Sequence, residues 1–195
     1  MTAQPQDKNK ITPGEYLAFE RNSLDLKYEF FDGEAFAMVG AGRNHNYINA
    51  NLTGELRNKF KADRSTCKVV SNDMRVKIAQ NYVYPDIVIH CGDAQFEDNE
   101  FDTLTNPVVI MEILSDSTEA FDRGKKFAYY QKVETLQEYI LISQKEHYVE
   151  QYTRDEDGTW EYRSYEGAGQ VLKIESVQCE LPLSEIYWDI EFESN

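Results

Sequence analysis

The stretch "NPVVIMEILSDST", residues 106–118, decides how the chain is built. From Val108 to Leu114 every residue is apolar except Glu112. A run of that length and composition predicts a strand covered on both faces, the kind found inside an α/β sheet rather than on its wet side. An ionised carboxylate in such a strand costs several kcal/mol even after relaxation, so a partner must compensate it. The candidates are a cation, a set of hydrogen-bond donors, or a bound proton.

Downstream, Ser117 or Thr118 is placed to cap a helix over 119–132, which gives way to the apolar strand LQEYILIS. Upstream lie three strand-like runs, CKVVS, MRVKIA and YVYPDIVIHC, the last two parted at Gln80-Asn81. Before them Tyr47, Ile48, Leu52, Leu56 and Phe60 recur at helical spacing, predicting a long amphipathic helix over 44–62. KYEFFDGEAFAMV reads as a hairpin turning at Asp32-Gly33, and Thr12-Pro13-Gly14-Glu15 spells a capping box ahead of a short helix to about Asn22. The acidic stretch 92–106 reads as a loop. HYVEQYTR and TWEYRSY form a second hairpin around Asp157-Gly158, and ELPLSEIYWDI closes the chain with a helical turn. The expected architecture is a mixed α/β sheet, of α+β character, with helices on its faces and β-hairpins flanking it at both ends.

The chain has 195 residues, enough for one domain with a sizeable core. Residues 11–195 are expected to form it, with 1–10 a flexible or disordered leader. That leader is polar, without the apolar core of a signal peptide, and no run reaches the ~20 apolar residues of a membrane helix. The expectation is a soluble cytoplasmic protein with no membrane partner. Cys67, Cys91 and Cys179 are odd in number and contain no CxxC pair, so they read as reduced structural thiols rather than a disulfide or zinc framework. The net charge of −15 argues against a polyanionic partner, but its distribution is uneven. Residues 43–81 carry eight Lys/Arg against three acids, whereas 82–122 carry ten acids and no Lys/Arg, a pattern compatible with a basic groove on an acidic body.

Alternation along YVYPDIVIH puts Asp86 with Tyr84, Val88 and His90 on one face. Asp86 is a second acid in an apolar strand, and strands consecutive in sequence commonly neighbour in space. If these do, Asp86 and Glu112 share a face, and two close carboxylates either share a proton or hold a cation. A hard divalent ion such as Mg²⁺ suits carboxylates plus a backbone carbonyl. On the following helix Asp122, Lys126 and Tyr130 are spaced four apart, so Lys126 can double back beside Glu112. The plainer alternative makes Asp86 a turn cap, Glu112 the partner of a buried base, and Asp122–Lys126 a surface pair.

Pro85-Asp86 followed by an acid in a buried strand resembles the PD-(D/E)xK nuclease motif. More closely, KYEFFDGEAFAMVGAGRNHN, SNDMRV, YPDIVIHCG, TNPVVIMEILSDSTEAFDRGKKFAYYQ, LQEYILIS and ELPLSEIYWDI together resemble the Uma2-type restriction-endonuclease family, from about Ile11 to Ile190. The resemblance implies a restriction endonuclease-like core and a Mg²⁺- or Mn²⁺-dependent endonuclease that cuts nucleic acid, DNA in preference to RNA, to a 5′-phosphate and a 3′-hydroxyl. It assigns Asp86, Glu112 and Lys126 to catalysis, with Asp86, Glu112 and the Ile113 carbonyl as metal ligands. Glu29, His45 and Tyr130 are secondary candidates. A strict motif has its lysine two residues after the glutamate, where this chain has Leu114, so the resemblance implies that Lys126 on the next helix has taken its place. Nucleases of this type commonly act as dimers, which predicts a homo-oligomer. The competing reading is a catalytically idle module that binds nucleic acid or protein on the same fold.

Overall fold

The computed structural model describes residues 10–192, so the expected flexible leader lies, Lys10 apart, outside them. The elements run α1 (Pro13–Arg21), β1 (Tyr28–Phe31), β2 (Glu34–Ala37), α2 (Arg43–Ala62), β3 (Cys67–Ser71), β4 (Arg75–Ile78), β5 (Asn81–Val83) and β6 (Ile87–Cys91). They continue with β7 (Thr103–Leu104), β8 (Val109–Ile113), α3 (Glu119–Phe121), a π-helical turn (Asp122–Lys126), α4 (Phe127–Tyr130), β9 (Glu138–Ile142), β10 (Tyr148–Arg154) and β11 (Trp160–Glu166). β12 (Val171–Ile174), a 3₁₀ turn (Glu175–Val177), β13 (Cys179–Pro182) and α5 (Leu183–Ile186) complete the chain.

Local chemistry explains several of these boundaries. Thr12 and Glu15 exchange hydrogen bonds as a capping box, satisfying two amides that the start of α1 would otherwise leave open. Asp32 (φ 52°) and Gly33 (φ 92°) both take left-handed backbone, the combination a two-residue hairpin turn of the primed type requires. Helix α2 buries Ile48, Leu52, Leu56 and Phe60 of the predicted stripe, while Tyr47 is exposed.

Six strands form one sheet in the order β11-β10-β9-β8-β6-β3, and five form another in the order β2-β1-β5-β4-β7. Within the larger sheet only β8 and β9 run parallel; the other neighbours are antiparallel. Val109, Met111 and Ile113 of β8 face α2 and the C-terminal elements in one core. Ile110 and Leu114 face a second core shared with Phe127, Tyr130, Val76 and Val83. Glu112 belongs by alternation to this second face, so it looks toward the helical segment and the smaller sheet.

Four expectations need correction. YVYPDIVIHC is not one strand: β5 pairs with β1 and β4 in the smaller sheet, β6 with β3 and β8 in the larger, and Tyr84-Pro85-Asp86 crosses between them. Pro85 has no N–H to give a ladder, which is the physical reason for the break. The β4–β5 turn is Ala79-Gln80, one residue earlier than expected, with Ala79 at φ 54°. The acidic loop contains β7, which pairs parallel with β4. Cys67 and Cys91 are directly opposed on β3 and β6 and are joined as a disulfide, leaving Cys179 as the free, buried thiol. No helix among the described residues is long and apolar enough to cross a membrane.

Candidate active site

The ladder between β6 and β8 ends at Ile87↔Met111, so the next step along it sets Asp86 opposite Glu112. There the Asp86 side chain replaces the missing strand: its Oδ2 accepts from Ile113 N at 2.7 Å, and its Oδ1 lies 2.9 Å from His45 Nε2. The Asp86 carbonyl accepts from Asn72 N and from Asn49 Nδ2, each at 3.1 Å.

Glu112 is 4% exposed, and two groups of the helical segment meet its Oε1. Lys126 Nζ stands 2.9 Å away and Tyr130 OH donates at 2.7 Å. The same ammonium lies 3.2 Å from Glu29 Oε1 and 3.6 Å from Asp122 Oδ1. Glu29, on β1 of the smaller sheet, also accepts from Tyr84 N at 3.1 Å. The cluster therefore sits where the two sheets and the 119–130 segment meet. The π-helical turn carries both Asp122 and Lys126, and Tyr139 on β9 donates to the Asp122 carbonyl at 3.2 Å, tying that turn to the sheet.

Charge is unbalanced here. Three carboxyl groups, Glu29, Glu112 and Asp122, surround one buried ammonium, and Asp86 lies near enough to act on Glu112. Burial is the main force pushing the Glu112 carboxyl, up to about 8; Lys126 opposes that shift, while Asp122, Asp86 and Glu29 add to it. For Lys126 burial works against the charge, but Glu112, Glu29 and Asp122 outweigh it and hold the ammonium well above its ordinary range. Burial and Glu112 likewise raise Tyr130, keeping its hydroxyl a donor. Burial and the neighbouring acids thus push Glu112 toward its protonated form, and Lys126 pulls it back.

Among the described residues no three His, Cys, Asp or Glu side chains converge so as to hold a metal ion. The donor set of Asp86, Glu112 and a main-chain carbonyl consists of hard oxygens, the type Mg²⁺ and Mn²⁺ take. Ile113 turns its N–H to Asp86, and because both polar groups of a strand residue point the same way, its carbonyl lies on that edge too. The charge deficit around Glu112 and this oxygen donor set fit a divalent cation.

The predicted residues Asp86, Glu112, Lys126, Glu29, His45, Tyr130 and Ile113 all contribute atoms to this one junction. The spacing argument for Lys126 also holds as geometry, since Asp122, Lys126 and Tyr130 share one buried face. Sequence reasoning missed Asn49, whose only signal was a polar residue on the core face of α2, and Asn72, which follows β3. The basic groove needs correction. Arg75 is buried against Asp102 (2.6 Å) and Thr103, Lys77 pairs with Glu97, and Arg43 stands 3.7 Å from Glu191. Of the remaining bases of that segment, Arg57, Lys61, Arg64 and Lys68 are exposed and Lys59 is half-buried.

Comparison with known proteins follows the same lines. Residues 13–184 match the model of the family described as "Uma2: Putative restriction endonuclease". Two uncharacterized proteins of Synechocystis sp. (strain ATCC 27184 / PCC 6803 / Kazusa) are similar over most of their length. The first, slr1290, is 32% identical over 94% of each chain. The second, sll1609, is 38% identical over 77% of this chain and 84% of its own. A crystal structure described as a putative nuclease belonging to DUF820 from Anabaena variabilis ATCC 29413 superposes with a TM-score of 0.76. It covers 91% of this chain and 97% of that one at 17% identity, a likeness of fold.

Proposed function

Since the chain belongs to the Uma2 family of restriction-endonuclease-like proteins, we propose that it is a divalent-metal-dependent endonuclease hydrolysing phosphodiester bonds of nucleic acid. The observation that carries this reading is the opposition of Asp86 and Glu112 at the end of the β6–β8 ladder, with the Lys126 ammonium 2.9 Å from Glu112. Asp86, Glu112 and the Ile113 carbonyl would hold Mg²⁺ or Mn²⁺. When bound, that ion supplies Lewis acidity at a phosphoryl oxygen and lowers the pKa of a coordinated water.

The chain's own groups do the rest. Lys126 orients the attacking water and offsets the negative charge that develops on the phosphorus oxygens, a fixed charge that needs no reorganisation. Tyr130 and Asp122 keep Lys126 and Glu112 in register. His45 shares an Asp86 oxygen and, released from it, offers a ring N–H to a phosphate oxygen. Glu29 shares the Lys126 ammonium and serves as a reserve acid. Products with a 5′-phosphate and a 3′-hydroxyl, DNA in preference to RNA, a cytoplasmic location and a homodimer are part of the same proposal. In a reducing compartment the Cys67–Cys91 pair would stand as two thiols.

Purified protein incubated with duplex and single-stranded DNA and with RNA, with Mg²⁺, Mn²⁺ or chelator, tests the reading. Ion-dependent cleavage lost in both Asp86→Ala and Glu112→Ala supports it; cleavage retained in either rejects the clamp. One observation favours a second reading, the idle binding module: both Asp86 oxygens and Glu112 Oε1 already have protein partners, as a self-contained polar network would. Magnesium titration separates the two, because an idle network takes up no ion.

A further inference from the structure

Asp86 sits on the three residues that leave one sheet and enter the other, a place where no ladder fixes the backbone. Its carbonyl is met instead by Asn49 Nδ2 and Asn72 N. Asn49 is 5% exposed on the core face of α2, between Ile48 and Leu52, where an apolar residue would be the default. Its amide also donates to Asn72 Oδ1 at 3.0 Å, and Thr53 Oγ1 donates to its oxygen at 3.4 Å. Asn72 takes left-handed backbone (φ 61°), which turns its N–H to the same carbonyl. One helical turn before Asn49, His45 meets the Asp86 side chain. The i, i+4 pair His45 and Asn49 thus holds Asp86 at both ends, side chain and main chain, from a single rigid helix.

We propose that Asn49 is a positioning residue: by holding the Asp86 carbonyl to α2 and to Asn72, it aims the Asp86 carboxylate at the position opposite Glu112. The inference rests on the metal-binding reading above and adds a partner that acts on the ion only through Asp86. Groups standing behind a metal ligand change affinity by roughly 10–100-fold when removed.

The test is calorimetric titration of Mg²⁺ and Mn²⁺ into the full chain, comparing wild type with Asn49→Ala, Asn49→Asp and Asn51→Ala, each confirmed folded by near-ultraviolet circular dichroism. Asn49→Asp keeps the shape and removes the amide donor, and it carries the test if the alanine variant does not fold. Asn51 lies on the same helix and ties it to the Ile186 and Trp188 carbonyls at 3.1 and 2.9 Å, so it reports a loss of structure alone. The expected result is about 10-fold or greater weakening in the Asn49 variants, with affinity unchanged in Asn51→Ala even if its melting temperature falls. Wild-type binding with equal affinity in the folded Asn49 variants overturns the positioning role and leaves the proposed function standing. Absence of binding by wild type overturns both.

Discussion

Two buried glutamates on neighbouring parallel strands, Glu112 of β8 and Glu138 of β9, have the same chemistry and opposite surroundings. Glu138 is 0% exposed and stands opposite Val109, toward the other end of the strand pair. Its oxygens accept from Ser176 N at 2.8 Å and from Gln151 Nε2, and Gln151 is held in turn by Tyr165 and the Lys173 carbonyl. Burial raises its pKa as it does that of Glu112, but its hydrogen-bond donors are neutral. Glu138 is thus a satisfied core group, and its surroundings require no further charge. Glu112 shares one ammonium with two other acids, Glu29 and Asp122, and Asp86 lies near as well, so positive charge is lacking around it. The difference shows that a buried acid points to a function through the charge balance around it, and that burial alone does not.

The largest expected effect breaks the comparison outright. Asp86→Ala and Glu112→Ala should each lower ion-dependent cleavage by at least about a thousandfold, ~4 kcal/mol at 1.36 kcal/mol per decade, with the fold intact by circular dichroism. Glu138→Gln should leave turnover per folded molecule essentially unchanged; a matching loss there would mean that burial, not charge balance, marks the site.

Next comes Lys126→Ala. Without its ammonium, Glu112, Glu29 and Asp122 lose their shared cation, and urea denaturation should show the ion-free protein destabilised by roughly 3–5 kcal/mol. Added Mg²⁺ should restore part of that loss, while cleavage slows by about 100-fold. Glu138→Ala should cost ~1–3 kcal/mol, and Mg²⁺ should recover none of it.

A smaller effect appears with pH. Glu112 titrates near 4.5 when unfolded and about 8 when folded, so between those values the native state holds the extra proton. Stability of the ion-free protein at this group is therefore greatest below pH 4.5 and falls as pH rises through 8. Glu112→Gln should flatten that part of the stability profile relative to wild type; an unaltered slope would show that Glu112 is ionised throughout. Smallest of all, Tyr130→Phe removes one hydrogen bond to Glu112 and should cost ~1 kcal/mol in melting experiments.

Much of this was legible in the residues. The capping box of α1, the Asp32-Gly33 turn and the stripe of α2 are local signals, and local interactions decide those elements. The i, i+4 spacing of Asp122, Lys126 and Tyr130 also carried through, although that spacing does not distinguish an α-helix from the π-helical turn found there. What escaped depends on contacts between distant segments. Alternation continues unbroken across Tyr84-Pro85-Asp86, so only Pro85 hinted that the strand changes sheets. The Cys67–Cys91 bond follows from the β3–β6 register, which nothing in the cysteine spacing discloses. Arg75 and Lys77 look like surface bases until their acidic partners, far along the chain, fold against them. Asn49 looks like a blemish on an apolar stripe until the Asp86 carbonyl is seen beside it.

The most direct test of the central claim is anomalous X-ray scattering from crystals of the wild-type chain grown with Mn²⁺. A single strong peak between the Asp86 and Glu112 carboxylates and the Ile113 carbonyl is the expected result. A structure in which Asp86 stays bound to His45 and Ile113, with no peak between the two acids, would contradict it.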